Sequence, residues 1–222
     1  MAQDYAWVSF DCYGTLVDWE SGIATAFAAA AAAARRGRDL DRRELLAAYH
    51  EVEPAVQAER YRSYREVLSE TACRVARRFA WELSAEQAEF LPRSIGDWPP
   101  FPDTRPALGR LRTAGLRLGV LSNVDRDLLA LTLRGLVPFD LVVTAEDVRA
   151  YKPAAAHFVE ARRVIGDRPW LHAAQSLFHD VVPANRLGIP VVWINRTGER
   201  PRPEARPDRE FSTLAELADW LV

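Results

Sequence analysis

The sequence predicts an α/β protein: a parallel sheet covered by helices, with one helical insertion near its start. Three observations carry this. A short apolar and aromatic run, YAWVSF, ends abruptly at Asp11 and a glycine turn. Residues 18–98 then read as helix with no strand signal. From Thr104 onward, apolar runs and helix-periodic segments alternate, the pattern of a parallel sheet with helices on both faces.

Each element follows from local signals. The first strand covers residues 5–10. Helices are expected over Ala24–Arg36, where alanine dominates, and over Arg42–Gln57, Tyr61–Phe79 and Ser84–Phe90. Ser84 with Gln87 three residues on has the form of a capping box. The proline-rich stretch WPPFPDTRP forbids continuous helix and marks a linker. After it come a helix Thr104–Ala114, a strand Leu116–Leu121, a helix Asp125–Leu136, a strand Phe139–Val143 and a helix Ala154–Ile165. A strand Trp170–Ala174, a helix Pro183–Leu187, strands Pro190–Ile194 and Arg209–Phe211, and a helix Thr213–Leu221 complete the chain. The charged, proline-rich GERPRPEARPD reads as an exposed loop. The expected division is 1–15 and 99–222 for the sheet core, and 16–98 for the insertion.

Composition narrows the partners. The 222 residues are 49% hydrophobic and 27% charged, with a formal charge of -2. That suits a soluble globular chain and favours neither nucleic acid nor an anionic membrane. The N-terminus lacks the basic and apolar regions of a signal peptide, and no apolar run is long enough to span a bilayer. Cys12 and Cys73, without metal-like spacing, read as reduced thiols in a cytoplasm.

In parallel α/β sheets ligands bind beyond the carboxyl ends of the strands. There stand Asp11, Ser122-Asn123, Lys152, Ser176 with Asp180, and Asn195-Arg196. A carboxylate held by a cation and hydrogen-bond donors is equipped to act as a nucleophile. Lys152 supplies the cation; Thr15, Ser122 and Asn123 supply donors; Asp180 positions a water, orients Lys152 or binds a cation. Taken singly, each has a plainer reading as a turn, cap or surface residue; it is their order at the strand ends that favours chemistry.

These residues resemble the four motifs of the haloacid dehalogenase (HAD) superfamily: FDCYGTLVD, LSN, YKP and SLFHD. The form of the first motif, with AEDVRAYKP and GIPVVWINR, is most similar to the L-2-haloacid dehalogenase (type II) branch. The resemblance implies a Rossmann-like core with an inserted helical cap. It also implies hydrolytic dehalogenation of a small 2-haloacid through an aspartyl ester, with Asp11, Lys152 and Asp180 catalytic and Tyr13, Thr15, Ser122, Asn123 and Ser176 around the substrate. Superfamily phosphatases usually carry an acid two residues after the nucleophile. Tyr13 stands there, and a phenol with a pKa of about 10 is a poor proton donor at neutral pH. A halide leaving group needs no acid. Gln175 replaces a further carboxylate, removing a hard Mg²⁺ ligand; no metal is expected to be essential, with Asp11 and Asp180 the ligands if one binds.

The chain departs from the branch in its pocket. No arginine matches the halide-contacting one early in the cap, where Tyr49 and His50 stand. Phe158 replaces a tyrosine, and Leu177 an asparagine. In the cap the densest cationic and aromatic stretch is RYRSYR, and Arg65 is the candidate clamp for a substrate carboxylate. Trp19 and His179 are further pocket candidates, and Cys12 reads as a small side chain in the turn. Two other functions stay open: a phosphatase with an atypical acid and metal site, and a HAD-fold protein that binds a small anion or a partner without turnover. Related proteins are often dimers, so the resemblance points to a homodimer.

Overall fold

A computed structural model describes residues 5–35 and 40–222. The chain forms two compact units. One comprises the chain up to Asp18, Pro100–Asn123 and Leu133–Val222; the other comprises Trp19–Pro99 and Val124–Thr132.

The first unit is built on a six-stranded, wholly parallel sheet: β1 Trp7–Phe10, β2 Arg117–Ser122, β3 Leu141–Thr144, β4 Trp170–Ala174, β5 Val191–Ile194 and β6 Arg209–Phe211. The strand order is β3-β2-β1-β4-β5-β6. The chain winds outward from β1 on one side, then returns to start again beside it at β4. This is the Rossmann-like order, and its switch point lies between β1 and β4. Every residue of β1, β4 and β5 is buried, as expected for strands covered on both faces. One face packs Trp7, Leu121, Val143 and Trp170 against Phe158, Ala161 and Ile165 of helix Ala156–Ile165. Alternation sends Val8, Phe10, Leu118, Val120, Leu171 and Ala173 to the other face.

Residues 16–18 belong with the sheet unit. The Leu16 carbonyl accepts from Phe101 N (3.0 Å) and Thr104 Oγ1 (2.7 Å), and Val17 bridges to Pro100. These contacts tie the outgoing and returning chain to one point.

The second unit is helical, with helices Trp19–Ala33, Arg42–Glu59, Tyr64–Arg78, Ala85–Ala88, Phe90–Ser94 and most of Arg126–Leu133, plus one 3₁₀ turn at Ile95–Asp97. Its core holds Ile23, Phe27, Leu45, Val56, Leu68, Val75 and Leu91. The first helix starts earlier than propensity suggests. Gly22 lowers the local signal but is required: a Cβ there would lie 2.3 Å from Trp98 Cγ. The expected end of this helix, Arg36, lies outside the described residues. The third helix starts at Tyr64 because Ser63 and Glu66 close a capping box, a signal the sequence contains; Ser84 and Gln87 form the expected one. Helix Tyr64–Arg78 gains a further cap from outside residues 16–98: the Asp125 carboxylate accepts from Tyr64 N and Arg65 N, both at 2.8 Å. Among the described residues no helix is long and apolar enough to cross a membrane.

Candidate active site

β1 delivers Asp11 to the carboxyl edge of the sheet, beside the switch point. The turn after it is tightly wound: the Cys12 carbonyl accepts from Thr15 N, Leu16 N and Val17 N at 3.3, 2.7 and 3.1 Å. Gly14 adopts φ +94°, which strains any residue with a Cβ. The winding returns Thr15 to Asp11, and Thr15 Oγ1 donates to Asp11 Oδ2 at 3.0 Å. Thr15 Oγ1 in turn accepts from Gln175 N at 2.9 Å, which joins the end of β1 to the end of β4. Tyr13 sits half-buried in the turn, and Cys12 is fully buried. Burial pushes the Cys12 thiol well up, and the neighbouring Asp11 carboxylate adds to the effect.

Lys152 is only 2% exposed. Its three ammonium protons have three acceptors: Asp11 Oδ1 at 2.8 Å, Asp180 Oδ1 at 2.6 Å and the Leu121 carbonyl at 2.9 Å. Burial disfavours the charged amine, but the two carboxylates outweigh it and its pKa is raised. Asn123 fixes the Lys152 backbone from both sides: its Oδ1 accepts from Lys152 N (2.7 Å) and its Nδ2 donates to Lys152 O (3.0 Å). Its amide is thus turned to framing the lysine.

Asp180 enters on a wide π-type turn, Leu177–Val181, in which Val181 N reaches back to Ser176 O. Ser176 caps this turn, its Oγ accepting from His179 N at 3.0 Å. The sequence pattern missed the turn because it is not 3.6-periodic. Burial alone would raise the Asp180 carboxyl; Lys152 and His172 overcome this and hold it below the usual carboxylate range. Burial raises Asp11; Lys152 opposes this, Asp180 adds to it, and the net shift is upward. Of two carboxylates sharing one ammonium, Asp180 therefore holds its charge to lower pH.

Residues 5–175 match the model of a family of hydrolases, the haloacid dehalogenase-like hydrolases. The chain belongs to that family. The matched stretch takes in Asp11, Ser122 and Lys152, and Asp180 lies beyond it. An (S)-2-haloacid dehalogenase of Pseudomonas putida is 32% identical over 128 residues, 55% of this chain. In that alignment the chain spans 56% of the relative's own length. An (S)-2-haloacid dehalogenase of Pseudomonas sp. (strain YL) is 26% identical over 97% of this chain and 89% of its own. The crystal structure of an L-2-haloacid dehalogenase superposes with a TM-score of 0.83 and 25% identity, covering 99% of each chain.

Other sequence-derived candidates have identifiable surroundings. Ser122 Oγ is fully buried and has no hydrogen-bond partner. Beside it, the Ser122 carbonyl accepts from His157 Nε2 at 3.1 Å; burial and Lys152 lower the His157 pKa to about 4. Arg65 lies in the helical unit. Its Nη2 donates to Asp127 Oδ2 at 2.8 Å and its Nη1 lies 3.7 Å from Glu89 Oε2. Also in that unit, Trp19 packs on Tyr49 and His50, and His50 Nε2 meets Glu20 Oε1 at 2.8 Å. His179 packs edge-on against Phe178, and burial lowers its pKa.

Two supports went unassigned in the sequence. Arg196, at the end of β5, donates from Nε to the Thr15 carbonyl (3.0 Å), pairs with Asp103 Oδ1 (3.1 Å) and lies 3.9 Å over the Phe101 ring. It clamps the turn after Asp11, and the only signal for it was its place at a strand end. His172, inside β4, carried no signal at all. Among the described residues no group of three or more His, Cys, Asp or Glu side chains is arranged to hold a metal ion.

Proposed function

We propose that this chain is a hydrolytic dehalogenase of a small 2-haloacid, working through an ester on Asp11. The observation that carries the reading is the setting of Asp11. It is a carboxylate only 8% exposed, held through one oxygen by Lys152 and through the other by Thr15, with a phenol rather than an acid two residues on. Each oxygen keeps a lone pair for attack. The (S)-2-haloacid dehalogenase relatives support the same substrate class.

In the first step an Asp11 oxygen forms a bond to the halogen-bearing carbon as the carbon–halogen bond breaks, and halide departs with the electron pair. Lys152 offsets the charge around the nucleophile. In the second step water attacks the ester carbonyl carbon and passes a proton to Asp180. The tetrahedral intermediate collapses and the departing alkoxide takes that proton, giving a 2-hydroxy acid. Asp11 emerges as a carboxylic acid and ionises, so each turnover releases one proton and one halide.

Asn123 and Ser176 set the positions of Lys152 and Asp180. Ser122 Oγ is a buried donor without a hydrogen-bond partner at the end of β2 and is assigned to the substrate's acid group. Tyr13 borders the same turn. Arg65 is satisfied by Asp127 and Glu89, so the reading gives it no part. No metal is required: the cation between Asp11 and Asp180 is the lysine ammonium, and Gln175 adds no hard ligand. Free thiols at Cys12 and Cys73 fit a cytoplasmic enzyme.

The test is free halide released from 2-chloro, 2-bromo and fluoro acids without added metal, beside an Asp11→Asn control. Release that disappears in the variant is the expected result. Mg²⁺-dependent phosphate release from esters, with no halide from any acid, would replace this reading with the phosphatase one.

A further inference from the structure

Behind Asp180 runs a buried polar chain that the reaction above leaves unused. Ser9 and His172 are fully buried and Trp170 is 3% exposed. Ser9 on β1 and His172 on β4 are partners in the strand register, so their side chains lie side by side on one face of the sheet. Trp170 Nε1 donates to Ser9 Oγ at 2.7 Å. Ser9 Oγ lies 2.8 Å from His172 Nδ1, and His172 Nε2 lies 3.1 Å from Asp180 Oδ1. An edge-on contact with Phe158, centroids 5.0 Å apart, holds the imidazole plane.

The proton positions follow from the partners. Indole nitrogen only donates, and an ionised carboxylate only accepts. Ser9 therefore receives from Trp170 and is free to donate to Nδ1, and the imidazole carries a proton on Nε2, facing Asp180. Burying three polar side chains in an apolar sheet is costly unless every group is matched. Here each is matched, and the chain terminates on one oxygen, Asp180 Oδ1, which also receives Lys152. The other oxygen, Asp180 Oδ2, is buried and has no hydrogen-bond partner.

We propose that His172 is the positioning residue of Asp180, with Ser9 and Trp170 setting its tautomer. His172 and Lys152 together hold Oδ1, which leaves Oδ2 as the oxygen that takes the proton from the water that opens the ester. The role rests on the dehalogenase reading for its second step only; halide displacement at Asp11 does not involve Oδ2. Removing the imidazole therefore slows ester hydrolysis and spares ester formation, a split that a merely structural residue would not produce.

The experiment compares His172→Leu, His172→Gln and the unaltered protein with a 2-haloacid under rapid quench, reading halide and the intact protein mass. His172→Leu is expected to give a burst of halide, to accumulate the ester, and to lose on the order of 10- to 100-fold in kcat without a rise in KM. His172→Gln, whose amide N–H reaches the place of Nε2, is expected to restore most of the rate. An unchanged kcat in His172→Leu would overturn the proposal. So would ester formation and hydrolysis falling together, with glutamine no better than leucine. Nitrogen NMR of His172 gives a readout that needs no substrate: a proton on Nε2 is expected, and a proton on Nδ1 alone overturns the positioning role. If the unaltered protein releases no halide, it is the dehalogenase reading that fails, and the tautomer alone decides whether His172 positions Asp180.

Discussion

At the scale of single residues the centre of the account is one ammonium between two carboxylates. Lys152→Met would leave Asp11 and Asp180 facing each other without a cation in a buried setting. Breaking such a group typically costs about 3–5 kcal/mol. Urea unfolding at neutral pH is expected to show a loss of that order. Part of it should return as pH is lowered, because protonating a carboxylate removes the uncompensated charge. The raised Asp11 carboxyl gives a second expectation. In the proposed mechanism Asp11 attacks as a carboxylate, so kcat/KM for halide release is expected to fall on the acid side with an apparent pKa above the ordinary aspartate value of about 3.9. A profile flat to below that value would contradict the shift.

At the scale of elements, the site depends on how strand ends are tied to each other. Arg196 joins the end of β5 to the turn after β1 through the Thr15 carbonyl, and its side chain is 9% exposed. Arg196→Ala removes a charge-assisted bond and leaves Asp103 without its cation; about 1.5–3 kcal/mol of stability is expected to go with it. In the helical unit Asp125 accepts two N–H groups at the start of helix Tyr64–Arg78. Asp125→Ala is expected to cost about 0.5–2 kcal/mol, read from the thermal or urea midpoint. Most elements were legible because their patterns are periodic: β4 and β6 have the expected bounds, and the other strands differ by a residue or two. What escaped was local. The turn carrying Asp180 has a π-type hydrogen bond outside the 3.6 period, and the short helix Ala145–Val148 rests on a capping box between Thr144 and Asp147. At the site, Asp11, Thr15, Lys152 and Asp180 could be read because strand ends are where such folds place ligands. His172 could not, since a histidine inside an apolar run looks like any other core residue until its partner is known.

At the scale of the whole molecule, the buried charges bound the pH range of stability. Asp180 is depressed in the folded state, so its contribution is present above the unfolded aspartate value of about 3.9 and is lost as pH falls through the lower folded value. Lys152 is raised, so its contribution is complete below the unfolded value of about 10.4 and is lost as pH rises through the higher folded one. Asp11, being raised, works against Asp180 at the acid end. Unfolding midpoints are therefore expected to form a plateau across neutral pH, with losses beyond both limits; steadily rising stability into strong alkali would contradict the lysine assignment. The strand order that makes β1 and β4 neighbours brings Asp11 and the Asp180 turn to one edge, so fold and chemistry have the same origin.

The central claim is that a carboxylate oxygen of Asp11 becomes bonded to the substrate carbon. A single turnover with enzyme in excess, run in water labelled with oxygen-18, tests it most directly. The account predicts the label in the peptide containing Asp11, with unlabelled oxygen in the hydroxyl of the product. Label in the product hydroxyl and none in Asp11 would mean that water attacks the carbon itself, and the ester would have to be abandoned.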